Sequence, residues 1–275
     1  MASLSLKQAW DNLATAQIPA WPLARTRMIV GTLAFARAII GIPVLLRATG
    51  PGTLRLPYIA GLPALGRAEV PWLAGLWLVA AAAFIAGWRT RWSGIALTLV
   101  LARVLTADQQ TYSSHLYLLF LLVLLLSLGD SGAVASLDAR SGVRREMVPG
   151  WPVWLLAVQG SIVYGFAALA KLIPEYLSGA MLCADFGWMS ANPPVLLCAG
   201  LAMGSIVTEL FLAFALWQKR WFRFACVVGI GLHVAMIVML APAVRWQLVV
   251  FAGEMLVLYP LYPLARAMVV RESAA

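Results

Sequence analysis

Eight apolar runs of 16–23 residues occupy most of this chain, and that pattern limits the fold more than any single residue does. They are Met28–Leu46, Trp72–Trp88, Trp92–Ala107, Tyr112–Leu128, Trp151–Ile173, Val195–Trp217, Phe222–Leu240 and Gln247–Leu264. About 20 apolar residues cross a bilayer as a helix. With 63% hydrophobic and 11% charged residues, a soluble 275-residue domain would lack polar surface. The expected fold is all-α, a polytopic membrane bundle of about eight transmembrane helices. The shorter runs call for tilt, local thinning or a broken helix.

The same runs set the organisation. Residues 1–22 carry Lys7, Trp10, Asp11 and Trp21 around short apolar stretches, which suits an amphipathic interfacial segment and not a signal peptide. Residues 23–266 form one transmembrane domain, and 267–275 a tail. If the N-terminus is cytoplasmic, 13 Lys and Arg fall on that side and four (Arg47, Arg55, Arg67, Arg245) on the other. Arg37, Arg103 and Lys171 fall within runs. This bias predicts a plasma (inner) membrane protein with both termini cytoplasmic. The charge of +9 flanks apolar runs instead of forming one patch, so membrane lipids are the expected partners and nucleic acid is not. Trp21, Trp72, Trp88, Trp92, Trp151, Trp221 and Trp246 lie near run ends, as an interfacial belt would.

Function should reside in the few polar residues inside the runs, because each is costly there. Lys171 stands near the outer end of the fifth run, where it either snorkels or serves as a base. Tyr164, seven residues earlier, shares its helix face. His115 opens the fourth run and His233 lies in the seventh; each is an acid–base candidate or a helix-to-helix hydrogen bonder. Asp108 has no local partner in sequence and could donate a proton. Glu209, Glu254, Arg37 and Arg103 suggest an Arg–Glu structural network. Cys183, Cys198 and Cys226 show no metal spacing and an odd count, so neither a metal site nor a disulfide framework is expected.

Tyr112-Ser-Ser-His115-Leu-Tyr-Leu-Leu, then Gln159, Tyr164, Lys171-Leu172 and Ser178-Gly179, then Met203-Gly204 before Glu209, and Gly231-Leu-His233 occur in that order. Over roughly residues 25–265 this resembles the horizontally transferred transmembrane domain family, the membrane domain of vitamin K-dependent gamma-carboxylase and its bacterial relatives. The resemblance implies a helical bundle open to the non-cytoplasmic side. In it a lysine deprotonates reduced vitamin K, oxygen adds, and the strong base so formed removes a glutamate proton before CO2 enters. Lys171 matches that lysine and His115 a histidine of the active-site region. Tyr176 and Leu177 replace a family Trp, and Ser114 replaces an Asn. The large lumenal domain that captures a peptide has no counterpart, so a small lipid-soluble substrate is the expectation.

The resulting candidate residues are Lys171, His115 and Asp108 for catalysis, with Tyr112, Tyr164, His233 and Glu209 for substrate binding. The expected function is a membrane enzyme acting on a quinol or isoprenoid by Lys/His acid–base chemistry in the outer half of the bilayer. A carboxylase-like lyase would use reduced quinone with O2 and CO2. A terpene cyclase, started by proton donation from Asp108, would need no cofactor. A non-catalytic accessory protein, its protein partner unnamed, is the remaining class.

Overall fold

The computed structural model describes residues 6–59, 61–185, 194–240 and 244–269. The chain divides into two compact units, Met1–Val153 and Trp154–Ala275. Met1–Ser5 and the tail from Val270 onward, Arg271 included, lie outside the described residues.

The first unit begins with an amphipathic helix, α1 (Leu6–Thr15), and a short strand, β1 (Gln17–Pro19). Four helices follow: α2 (Trp21–Ala48), α3 (Val70–Ala86), α4 (Thr90–Leu105) and α5 (Ser114–Leu128). Strand β2 (Met147–Pro149) then pairs antiparallel with β1. This ribbon brings the start of α2 and the segment after α5 to one end of the unit. Arg27 donates to the Ala135 carbonyl at 2.6 Å at that same end. Gly87, at φ +66°, closes α3 through bonds to the Ala83 and Phe84 carbonyls. Arg89 offers α4 no capping side chain, so Asp138 supplies one from afar. It accepts the Arg89 and Thr90 amides and the Thr90 hydroxyl, each at 2.7 Å.

The opposite end is stitched as thoroughly. Asp108 accepts the Leu56 amide at 2.9 Å and the Gln110 amide at 2.8 Å. Gln109 and Gln110 donate side-chain N–H groups to the Pro57 and Leu54 carbonyls. The α2–α3 loop and the α4–α5 turn therefore share one end, and α2 to α5 alternate in direction. Trp77, Phe84, Leu97, Leu101, Leu119 and Leu122 are fully buried between them.

The second unit contains α6 (Trp151–Ala170, which starts just before the boundary), α7 (Pro174–Leu177), α8 (Ala180–Asp185), α9 (Val195–Ala215), α10 (Phe222–Met239), α11 (Arg245–Leu256) and α12 (Leu261–Val269). Proline sets two of these boundaries. It lacks an N–H and its ring strikes the carbonyl four residues back. Pro174 stands four after Ala170, the end of α6, and Pro260 four after Leu256, the end of α11.

Among the described residues, six helical segments are long and apolar enough to cross a membrane: 21–48, 67–86, 151–170, 195–215, 222–239 and 245–269. By length the count of eight is not reached. Helices α4 and α5, of 16 and 15 residues, span only about 24 and 22 Å at about 1.5 Å per residue. Their alternation with α2 and α3 nevertheless carries the chain from one end of the unit to the other and back. Leu196, Phe214, Phe166 and Val227, all on the long helices, leave more than two thirds of their surface uncovered, which is the lipid-facing character of an integral multi-pass membrane protein.

Candidate functional site

Pro174 creates the site by stopping α6 one residue before Lys171. The Lys171 and Leu172 amides tighten to i−3 carbonyls at 3.2 and 3.1 Å, and the chain turns back along α9. Three cross-links record that path: Lys171 with Glu209, Tyr176 with Ser205, and Cys183 with Cys198. Cys198, Ala202, Ser205 and Glu209 follow a 4, 3, 4 spacing and so form one face of α9. Glu209 lies eleven residues beyond Cys198, about 16 Å along the axis. Lys171 is thus well below the α9 end that the disulfide marks, and the expected outer loop 174–194 contains α7 and α8 laid along that helix.

The Lys171 ammonium donates to Oε1 of Glu209, and the carboxylate side chain is only 5% exposed. The Tyr176 ring lies 5.6 Å from Lys171 Nζ, within cation–π range. The Tyr176 and Ser205 hydroxyls are 2.8 Å apart, and Ser205 donates to the Ala202 carbonyl at 2.9 Å. Lys171, Glu209, Tyr176 and Ser205 line a cavity of about 450 Å³ whose other walls are chiefly apolar, with Leu182, Leu232 and Met236 among them. Gly200 and Gly204 line it too, and a Cβ at either would meet nothing within 4 Å. The volume falls in the range of small-molecule sites.

A second polar cluster is buried in the same unit. The Tyr164 hydroxyl is 2.9 Å from His233 Nε2 and 2.5 Å from the Tyr259 hydroxyl, and the His233 ring packs edge-on to Phe251. Tyr259 occupies the break between α11 and α12 that Pro260 imposes. One turn of α6 away, Ser161 accepts from the Trp217 indole at 2.7 Å and lies 3.2 Å from the Tyr262 hydroxyl.

Of the residues singled out in the sequence, Lys171 joins Glu209 and Tyr164 joins His233. Asp108, Tyr112 and His115 belong to the first unit. There Asp108 ties two loops together, Tyr112 stacks on Tyr58 at 5.4 Å, and His115 is half-buried in the first turn of α5. Two expectations need correction. Glu209 pairs with Lys171 instead of an arginine, and Arg103 approaches a different glutamate, Glu69, at 3.9 Å. Cys183 and Cys198 form a disulfide, their Cα atoms 5.5 Å apart because α8 lies against α9; a 15-residue separation carries no pairing signal in sequence. Tyr176, Ser205 and Tyr259 were not foreseen, although the α9 spacing and Pro260 were legible.

The HTTM domain family profile matches residues 12–265. No curated protein and no solved structure matches the chain. The family match spans nearly the whole sequence, agrees with the helical membrane architecture, and includes both Lys171 and His115. The chain belongs to the HTTM domain family, whose domain is found in vitamin K-dependent gamma-carboxylase and related membrane proteins.

Proposed function

We propose that this protein is a membrane enzyme that removes a proton from a lipid-soluble quinol or isoprenoid held in the second-unit cavity. The observation that carries this reading is the Lys171–Glu209 pair in the wall of a chiefly apolar pocket. Buried charge of this kind is costly and is concentrated where chemistry occurs. The apolar walls suit a ring or prenyl chain, and the pair supplies the acid–base centre. A reduced quinone fits this donor set through its ionisable hydroxyl, and once bound it supplies the oxidisable carbon framework. The orientation inferred from the basic residues opens the site toward the outer half of the bilayer.

The cyclase alternative has less support, because it depends on Asp108. Both oxygens of that carboxylate are engaged by backbone amides that hold the α2–α3 loop to the α4–α5 turn.

The test is mass spectrometry of lipid extracts from cells making the wild type or Lys171→Met, fed quinones and polyprenyl precursors. A wild-type-only product one oxygen heavier than the quinone fed is expected, formed when the deprotonated quinol takes up O2 and releases water. An isomer of unchanged mass would favour cyclisation, and identical extracts at equal expression would favour an accessory role.

A further inference from the structure

Glu209 presents an acceptor that no group among the described residues uses. Its Oε1 takes the Lys171 N–H, whereas its buried Oε2 has no hydrogen-bond partner there. The side chain is nineteen-twentieths buried and lines the cavity. Leaving such an acceptor unsatisfied is unfavourable, so a donor that reaches Oε2 from the cavity is stabilised there. Ser205, on the same wall, directs its proton to the Ala202 carbonyl and is joined to Tyr176.

The pair also restricts what that donor is. Beside Oε2 stands the Lys171 ammonium, which has N–H groups beyond the one given to Glu209. A hydroxyl satisfies both partners, donating to Oε2 and accepting from Nζ. An ether or ketone can only accept, and a hydrocarbon can do neither.

We infer that Glu209 is itself a catalytic residue: its Oε2 takes the substrate hydroxyl proton, while Lys171 stays an ammonium and holds the oxygen anion left behind. The substrate O–H bond breaks, an O–H bond forms on Oε2, and the electron pair remains on the substrate oxygen. One anion replaces another beside the same ammonium, so the number of buried charges is unchanged. Transfer to a lysine amine from a neutral pair would create two charges in an apolar cavity, which is far more costly. This assignment rests on reading the cavity as a lipid-soluble substrate site.

Equilibrium binding to the full chain in lipid nanodiscs tests it, with a prenylated phenol and its methyl ether as probes. The wild type is expected to favour the phenol by about tenfold to a hundredfold, the value of a hydrogen bond to a buried charge. Glu209→Gln should bring that ratio to about one, because the amide oxygen stays with Lys171 and its NH2 faces the probe. Lys171→Arg should keep the preference, since the cation persists. Equal wild-type affinity for the two probes would overturn the inference and leave the substrate-site reading standing. So would a preference that survives Glu209→Gln and disappears in Lys171→Arg, which would make the amine the acceptor. Binding of neither probe would remove the substrate-site reading and the inference together. The wild-type comparison needs no variant, so a folding defect cannot mask the result.

Discussion

Tyr164 and His233, 69 residues apart, are joined by a 2.9 Å hydrogen bond in the buried interior of the second unit. The same hydroxyl meets Tyr259, so one phenol links α6, α10 and the α11–α12 break. Tyr164→Phe is expected to lower stability by about 1–3 kcal/mol, the cost of leaving buried partners unsatisfied. Tyr259→Phe removes a single bond and should cost less. Thermal unfolding in detergent orders the two variants, and a Tyr164→Phe protein as stable as wild type would refute the network.

Asp138 gives the first unit a pH dependence of definite sign. Burial pushes its carboxyl up, but the Thr90 amide and hydroxyl, the Arg89 amide and the Arg27 charge outweigh that and hold it below the ordinary 3.8. A carboxyl held low in the folded state stabilises fully above its unfolded value and loses that contribution as pH falls through the folded value. Asp138→Asn keeps one acceptor oxygen but loses the other and the charge, so it should be less stable at neutral pH by about 1 kcal/mol, the net worth of a hydrogen bond. Unfolding measured from pH 7 down to pH 3 should show the two proteins converge only below about pH 4.

The Cys183–Cys198 disulfide closes a 15-residue separation and holds α8, with the cavity residue Leu182, against α9. Loops of this size contribute about 3 kcal/mol. Cys183→Ser, or reduction of the wild type, should lower denaturant stability by that order and weaken phenol binding. Peptide mapping without reductant should recover the linked pair and leave Cys226 alkylated.

Gly204 marks open cavity space on α9. Gly204→Ala should raise stability by about 0.5–1 kcal/mol through helix propensity and leave binding nearly intact. Gly204→Leu should fill the cavity and reduce phenol affinity at least about tenfold without unfolding the protein. Leucine tolerated with full affinity would place the ligand elsewhere.

The basic-residue bias makes a directional statement about the two ends of the first unit. In a Cys226→Ser background, Thr53→Cys should react with an impermeant maleimide on intact cells. Ser141→Cys should react only after lysis. Both positions are exposed, so the reverse pattern would invert the orientation.

Much of the architecture follows from residues whose effect is local. Apolar run length announced the helices, and α2 simply begins earlier than expected, at Trp21, where Pro22 occupies the first turn without needing a donor. Pro174 and Pro260 end helices through a missing N–H and a ring that strikes the carbonyl four residues back, although α2 carries Pro43 without ending there. Lys171 stood out because a lone ammonium in an apolar segment is costly whatever surrounds it. None of these effects requires knowing which helices are neighbours.

Partner choice requires exactly that knowledge in every case that was missed. Whether Glu209 meets an arginine or Lys171, whether Asp138 reaches Thr90, and whether Cys183 finds Cys198 depend on rotation and register between helices. A single turn of α9 in either direction would give Glu209 another neighbour. The sequence by itself determined a helical membrane protein with a few costly polar residues, because transfer to lipid is nearly additive along the chain. Only the tertiary structure decided that Lys171 and Glu209 form one centre beside an apolar cavity, because hydrogen bonds act over about 3 Å and the packing of α7 to α9 sets those distances.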